Sequence, residues 1–222
     1  MNSDRWLIKS AGRTASHLLL GTVEQAGYEL CWTERHTTDR QRRDQLARPG
    51  AQVWYDHQRG WPNPEVEWRC VLIRRRDFRS QVLSKILSQR TQEFVVYSDR
   101  DMEQFTVTQE EFNWTAQFVI DCESEWIKTA PTPVQVTHRE DLIDDVHGVA
   151  RTLGFQVDER HRSRFQINPR PLETLCENWS QVQSWPLPRV TSDRGYNPLF
   201  FPVRKFFQNE VQIPMGFLTR PV

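Results

Sequence analysis

Apolar residues along the chain come in short runs set between polar stretches, and the length and period of each run predict an element. "WLIK", residues 6 to 9, is too short for a helix and reads as a buried strand. It passes through "SAGRTAS" into a Leu-rich segment that predicts a helix from about Ala15 to Ala26, with Thr14 as its N-cap and Gly27 at its C-terminal cap. "YELCWT" reads as a short strand or extended segment, and "TTDRQRRDQLARPG" as a polar helix closed by Pro49 and Gly50. "AQVWYD" is a further strand. "VEWRCVLIRR" has the near-continuous apolar centre of a strand covered on both faces. "DFRSQVLSKILSQ" carries Phe78, Val82 and Ile86 on one helical stripe with Leu83 and Leu87 beside it. "EEFNWTAQFVIDCESEWIK" predicts the longest helix, ended near Pro131. "VQVTH" predicts a strand and "EDLIDDVHGVARTLGF" a helix terminated by Gly154. Strands alternating with helices predict an α/β domain around a mainly parallel sheet. Beyond Phe165 the chain is rich in Pro and aromatic residues, with one helical piece, "PLETLCENWSQVQ". The expectation is a single domain over 1–222 in which about 166–222 wraps over the core.

Composition narrows this picture. With 29 basic and 29 acidic residues in 222, the chain has no bulk charge with which to coat nucleic acid, so a partner must be chosen by a local site. Cys31, Cys70, Cys122 and Cys176 are too far apart for a zinc knuckle or a redox pair and read as buried thiols in a reducing compartment. No His/Cys/Asp set has metal-ligand spacing. No basic start precedes a long apolar region, and no run of about 18 apolar residues occurs, so the expectation is a soluble cytoplasmic protein without a membrane span. The nine tryptophans follow no fixed period and read as core or groove lining, which argues against a repeat array.

The candidate chemistry begins at "SAGRTAS". A helix N-terminus offers unpaired N–H groups and the positive end of a dipole, so this stretch reads as a cradle for phosphate or sulfate, the alternative being a plain strand-to-helix turn. Loops that bind nucleoside triphosphates carry G-x-x-x-x-G-K-[ST], with Lys on the phosphates and Ser/Thr on Mg²⁺. That pattern is absent, which disfavours phosphoryl transfer.

"GRTASHLL" resembles the first loop of the sulfotransferases, P-[KR]-S-G-[ST]-T followed by apolar residues, with Arg13 at the basic position, Thr14 and Ser16 at hydroxyl positions and Ala15 where Gly is usual. In that family the loop grips the 5′-phosphosulfate of 3′-phosphoadenosine 5′-phosphosulfate. A second family motif is an Arg at a strand end and a Ser eight residues later, both on the donor's 3′-phosphate. Arg76 and Ser84 in "VLIRRRDFRSQVLSKIL" have that spacing, and "RRD" with "QVLS" looks like the bacterial trehalose-sulfotransferase branch. The alternative is a solvated Arg run and small helix-packing residues. "EDL" and "LGF" in "VQVTHREDLIDDVHGVARTLGF" are similar to a third, late motif, although His138 and Arg139 replace its usual Tyr neighbourhood. Three motifs in order span residues 8 to 155. Leu18 stands where animal cytosolic members have a Trp that stacks on adenine, and their C-terminal R-K-G segment is not recognisable, although Arg194, Arg204 or Lys205 could serve it.

The resemblance implies a three-layer P-loop-like fold and a metal-independent transfer of a sulfuryl group to a hydroxyl of a sugar or small molecule, releasing adenosine 3′,5′-bisphosphate. Gly12, Arg13, Thr14, Ala15, Ser16, His17, Arg76 and Ser84 would bind the donor. Arg13 and Lys9 would steady the leaving phosphate. The base would be His57, whose ordinary pKa suits neutral pH, or Glu34, which stands where an acidic base is proposed for the bacterial branch. His17, His36 and His138 are lesser candidates. Because Ala15 departs from the loop pattern, the competing function is a nucleotide-binding or scaffold protein that keeps the fold without transfer.

Overall fold

A computed structural model describes residues 5–12, 14–32, 52–56, 68–91, 104–165 and 172–188, all within one compact unit, Met1–Val190. The expected polar helix over 37–50 and most of the expected C-terminal wrap lie outside the described residues.

Five strands form one sheet: β1 (Trp6–Ser10), β2 (Leu30–Trp32), β3 (Val53–Asp56), β4 (Arg69–Arg74) and β5 (Gln135–His138). Their order is β2-β3-β1-β4-β5, and every pairing is parallel. The α/β class expected from the alternation is therefore what the chain adopts. β1 lies in the middle of the sheet, which is why "WLIK" is apolar without alternation and wholly buried.

Helices cover both faces. On one face α1 (Ser16–Gln25) packs beside α4 (Arg139–Thr152), and Leu19, Leu20, Val23, Leu142 and Ala150 close over Trp6, Ile8, Val53, Tyr55, Val71 and Ile73. On the other, α3 (Gln109–Thr129) sets Val119, Cys122 and Trp126 against Ala11 and Leu72. α2 (Phe78–Thr91) packs on α3, and the short α5 (Leu172–Leu175) and α6 (Trp179–Ser184) extend that layer through Leu172, Leu175 and Val182. Burying the Val, Leu and Ile side chains among these stabilises the layers by roughly 1.5–3 kcal/mol each.

Local chemistry sets the helix ends. Asp77 caps α2 by accepting from the Ser80 N–H at 3.1 Å, and Thr108 caps α3 by accepting from the Glu111 N–H at 3.2 Å. α1 ends in a Schellman turn, Tyr28 N–H to Val23 O and Gly27 N–H to Glu24 O, with Gly27 at φ 90°. Two expectations are corrected. Thr14 does not cap α1: Ala15 holds that position without a side-chain bond, and the Thr14 hydroxyl turns inward to Ser10. "PLETLCENWSQVQ" is not one helix. Cys176 forms a parallel bridge with Phe105, and the Asn178 side chain bonds both the N–H and the carbonyl of Val107, which breaks the segment into α5 and α6.

The four cysteines are free and buried, and burial pushes the Cys70 and Cys176 thiols above their ordinary value. No described helix is long and apolar enough to cross a membrane. Among the described residues no group of three or more His, Cys, Asp or Glu is placed to hold a metal ion.

Candidate functional site

The loop from β1 to α1 leaves the C-terminal end of the central strand, the edge at which open parallel sheets bind their ligands. Two of its residues take left-handed backbone, Gly12 at φ 91° and Ala15 at φ 57°, ψ 23°. Glycine enters that region freely. Ala15 does so at a cost of about 1–2 kcal/mol.

The loop's hydroxyls face inward. Ser10, Thr14 and Ser16 are buried, the Thr14 hydroxyl donates to Ser10 Oγ at 2.9 Å, and the Gly12 N–H donates to the same oxygen at 3.0 Å. Tyr55 reaches across from β3, its hydroxyl 2.6 Å from Ser16 Oγ and 3.3 Å from Ser10 Oγ. Thr14 and Ser16, expected to touch an anion, thus brace the turn. The start of α1 offers an anion the positive end of the helix dipole; within it the Leu18 N–H donates to Ala15 O at 2.9 Å. His17 lies edge-on between the rings of Tyr55 and Phe165, at 6.0 and 5.3 Å.

Carbonyls of the loop turn toward α2. Lys85 Nζ donates to Ala11 O at 2.8 Å, and Gln81 Nε2 reaches Gly12 O at 3.4 Å. Gln81 also approaches Glu123 Oε1 at 3.5 Å, and Glu123 accepts from Arg74 Nε at 2.7 Å. Burial pushes the Glu123 carboxyl above its ordinary value, while Arg74 pulls it back. Lys9, alternating with Ile8 and Ser10, faces the α3 side, fully buried with its ammonium 5.1 Å from the Trp126 ring centroid.

At the end of β4 the structure places Arg76 on the surface, 55% exposed. Its guanidinium donates to both oxygens of Asp141 at 2.8 Å, and its N–H donates to Glu140 Oε2 at 3.1 Å. "EDL", one of the three motifs, is therefore brought onto "RRD", another, by the contact of α4 with β4. Ser84 is buried in the second turn of α2, on a ridge with Ser80 and Ser88. Arg13, Glu34 and His57 lie outside the described residues.

Lys85, Gln81 and Tyr55 were missed in the sequence because each reaches the loop from another element. The only hint was that Gln81 and Lys85 share a helix face with a period of four.

No family model and no curated protein matches this chain. Among solved structures, "Crystal structure of retinol dehydratase in complex with androsterone and inactive cofactor PAP" superposes at a TM-score of 0.40 with 14% identity, covering 72% of this chain. The match spans 62% of the length of that chain.

Proposed function

We propose that the protein is a sulfotransferase that moves a sulfuryl group from 3′-phosphoadenosine 5′-phosphosulfate to a hydroxyl of a sugar or small molecule. The observation that supports this reading most is the β1–α1 loop. Its side-chain hydroxyls are folded inward, carbonyls are drawn toward α2, and it ends at the N–H end of α1, whose dipole favours an anion at the end of the central strand. Such donors suit a sulfuryl group, which carries less charge than a terminal phosphoryl group and can be transferred without Mg²⁺. The acceptor oxygen would attack sulfur as the bond from sulfur to the phosphate oxygen breaks. The acceptor's proton would pass to His57 or Glu34, and the released adenosine 3′,5′-bisphosphate would carry the charge that Arg13 steadies, Lys9 adding only the field of an ammonium buried beside Trp126. Thr14 and Ser16 act in this reading through the loop's shape, and Gly12, Ala15 and His17 line its turn. Arg76 and Ser84 hold the 3′-phosphate.

Calorimetric titration with adenosine 3′,5′-bisphosphate, AMP and ATP tests the donor class. Binding of the bisphosphate alone, unaffected by chelators, is the expected result, and a preference for ATP with Mg²⁺ would sink it. His57→Ala and Glu34→Gln separate the two bases: the true base should lose turnover by about 10²–10⁴-fold with donor affinity nearly unchanged. Bisphosphate binding without turnover on any hydroxyl acceptor would favour the second reading, a nucleotide-binding protein, which the left-handed Ala15 makes specific.

A further inference from the structure

Lys85 contacts the loop from a direction that no motif anticipates. Besides its bond to Ala11 O, its ammonium sits 4.8 Å from the Phe118 ring centroid and 3.6 Å from where a Cβ on Gly12 would stand. Gln81, one turn earlier on α2, is 1% exposed and holds the next carbonyl, that of Gly12, at the longer 3.4 Å. Two successive loop carbonyls are therefore drawn to one helix.

The electrostatics give this arrangement a purpose. A carbonyl oxygen turned into an anion cradle would repel the anion; Lys85 holds the Ala11 carbonyl aside, and the N–H of the same peptide, that of Gly12, is held by Ser10 Oγ, so the peptide is fixed from both ends. Gln81 could hold a carbonyl but brings no charge. Lys85 brings a full positive charge at partly buried range, where solvent screens it less than at the open surface. The face of Phe118 favours that ammonium in place.

We infer that Lys85 is a positioning residue of the anion loop, holding the Ala11 carbonyl away from the bound group and adding a positive charge to that of Arg13. This rests on the reading of the β1–α1 loop as the donor's anion site. The inference predicts that charge at residue 85 matters more than hydrogen bonding alone.

The full chain and its Lys85→Met, Lys85→Gln and Lys85→Arg variants are titrated with adenosine 3′,5′-bisphosphate, and separately with inorganic sulfate while the melting temperature is followed. Lys85→Met should weaken bisphosphate binding about tenfold, the size of one charge-assisted hydrogen bond. Lys85→Gln, which keeps a neutral donor and guards against a Met variant that folds poorly, should stay close to Lys85→Met. Lys85→Arg should return to within about threefold of the parent chain, and the loss in the neutral variants should shrink as salt is raised. Three results would overturn the inference: parental affinity in Lys85→Met, parental affinity in Lys85→Gln, or an Arg variant no better than the Met variant. A chain that binds sulfate in a Lys85-dependent way but not the bisphosphate overturns the donor reading and keeps the role of Lys85. A chain that binds the bisphosphate regardless of residue 85 does the reverse, and one that binds neither ligand overturns both.

Discussion

In the proposed function the β1–α1 loop and the end of β4 both meet charged groups of the nucleotide, and they are built in opposite ways. The loop carries no carboxylate among its described residues; its Thr14 and Ser16 hydroxyls point inward, and its neighbouring cation, Lys85, leans on a carbonyl. The end of β4 carries three arginines in a row, and each meets a carboxylate: Arg74 with Glu123, Arg75 with Glu140 at 3.9 Å, and Arg76 with Asp141. A dense basic motif in a sequence is therefore no measure of available positive charge. In the proposed function the loop, whose described residues carry no carboxylate, is the better prepared of the two.

The comparison is broken most severely at Arg74. Replacing it with Met leaves Glu123 buried without its guanidinium and should cost about 3 kcal/mol in denaturant unfolding, the lower end of what breaking a buried pair costs because Arg74 is itself partly exposed. The pH dependence gives a second view. Burial holds the folded Glu123 carboxyl above the unfolded value of 4.5, so the folded chain binds this proton more tightly. The stability tied to it is complete below that value and is lost as pH rises through the folded value. Glu123→Gln should remove this loss and Arg74→Met should deepen it. Identical pH profiles in all three chains would show that the pair is not coupled to folding.

A smaller effect is expected on the loop side. Tyr55→Phe takes away the hydroxyl shared by Ser10 and Ser16 and leaves a buried Ser16 oxygen short of a partner, costing about 1–2 kcal/mol in thermal or urea unfolding. Stability unchanged within error would mean that Ser16 turns outward, toward the ligand, in solution.

The smallest effect sharpens the β4 side. Arg76→Ala should weaken binding of adenosine 3′,5′-bisphosphate by about tenfold while sparing AMP, because only the former has a 3′-phosphate to pair with. Asp141→Asn should release the guanidinium and tighten the bisphosphate by about two- to fivefold, the scale of an exposed ion pair. Equal changes for both ligands, or no change on freeing Arg76, would remove the 3′-phosphate from this position.

Much of the fold was legible in the sequence. Short apolar runs became strands, the stripe through Phe78, Val82 and Ile86 became the buried side of α2, and an unbroken "WLIK" announced a strand in the sheet interior. These features are local, set by side-chain period and by the burial each run demands. The left-handed turns at Gly12 and Gly27 fell at glycines that the sequence marks openly. Ala15 did not, since nothing in an alanine signals a positive φ. The split of α5 from α6 and the inward turn of Thr14 were equally hidden, because their causes lie at Phe105, Val107 and Ser10. Local order along the chain thus determined which elements form and which motifs stand at their ends. Only the tertiary structure decided which charges are spoken for, because Asp141 reaches Arg76 from 65 residues away and Lys85 reaches Ala11 from 74. Periodicity carries no information about contacts over such separations; the packing of α2 and α4 around β1 and β4 creates them.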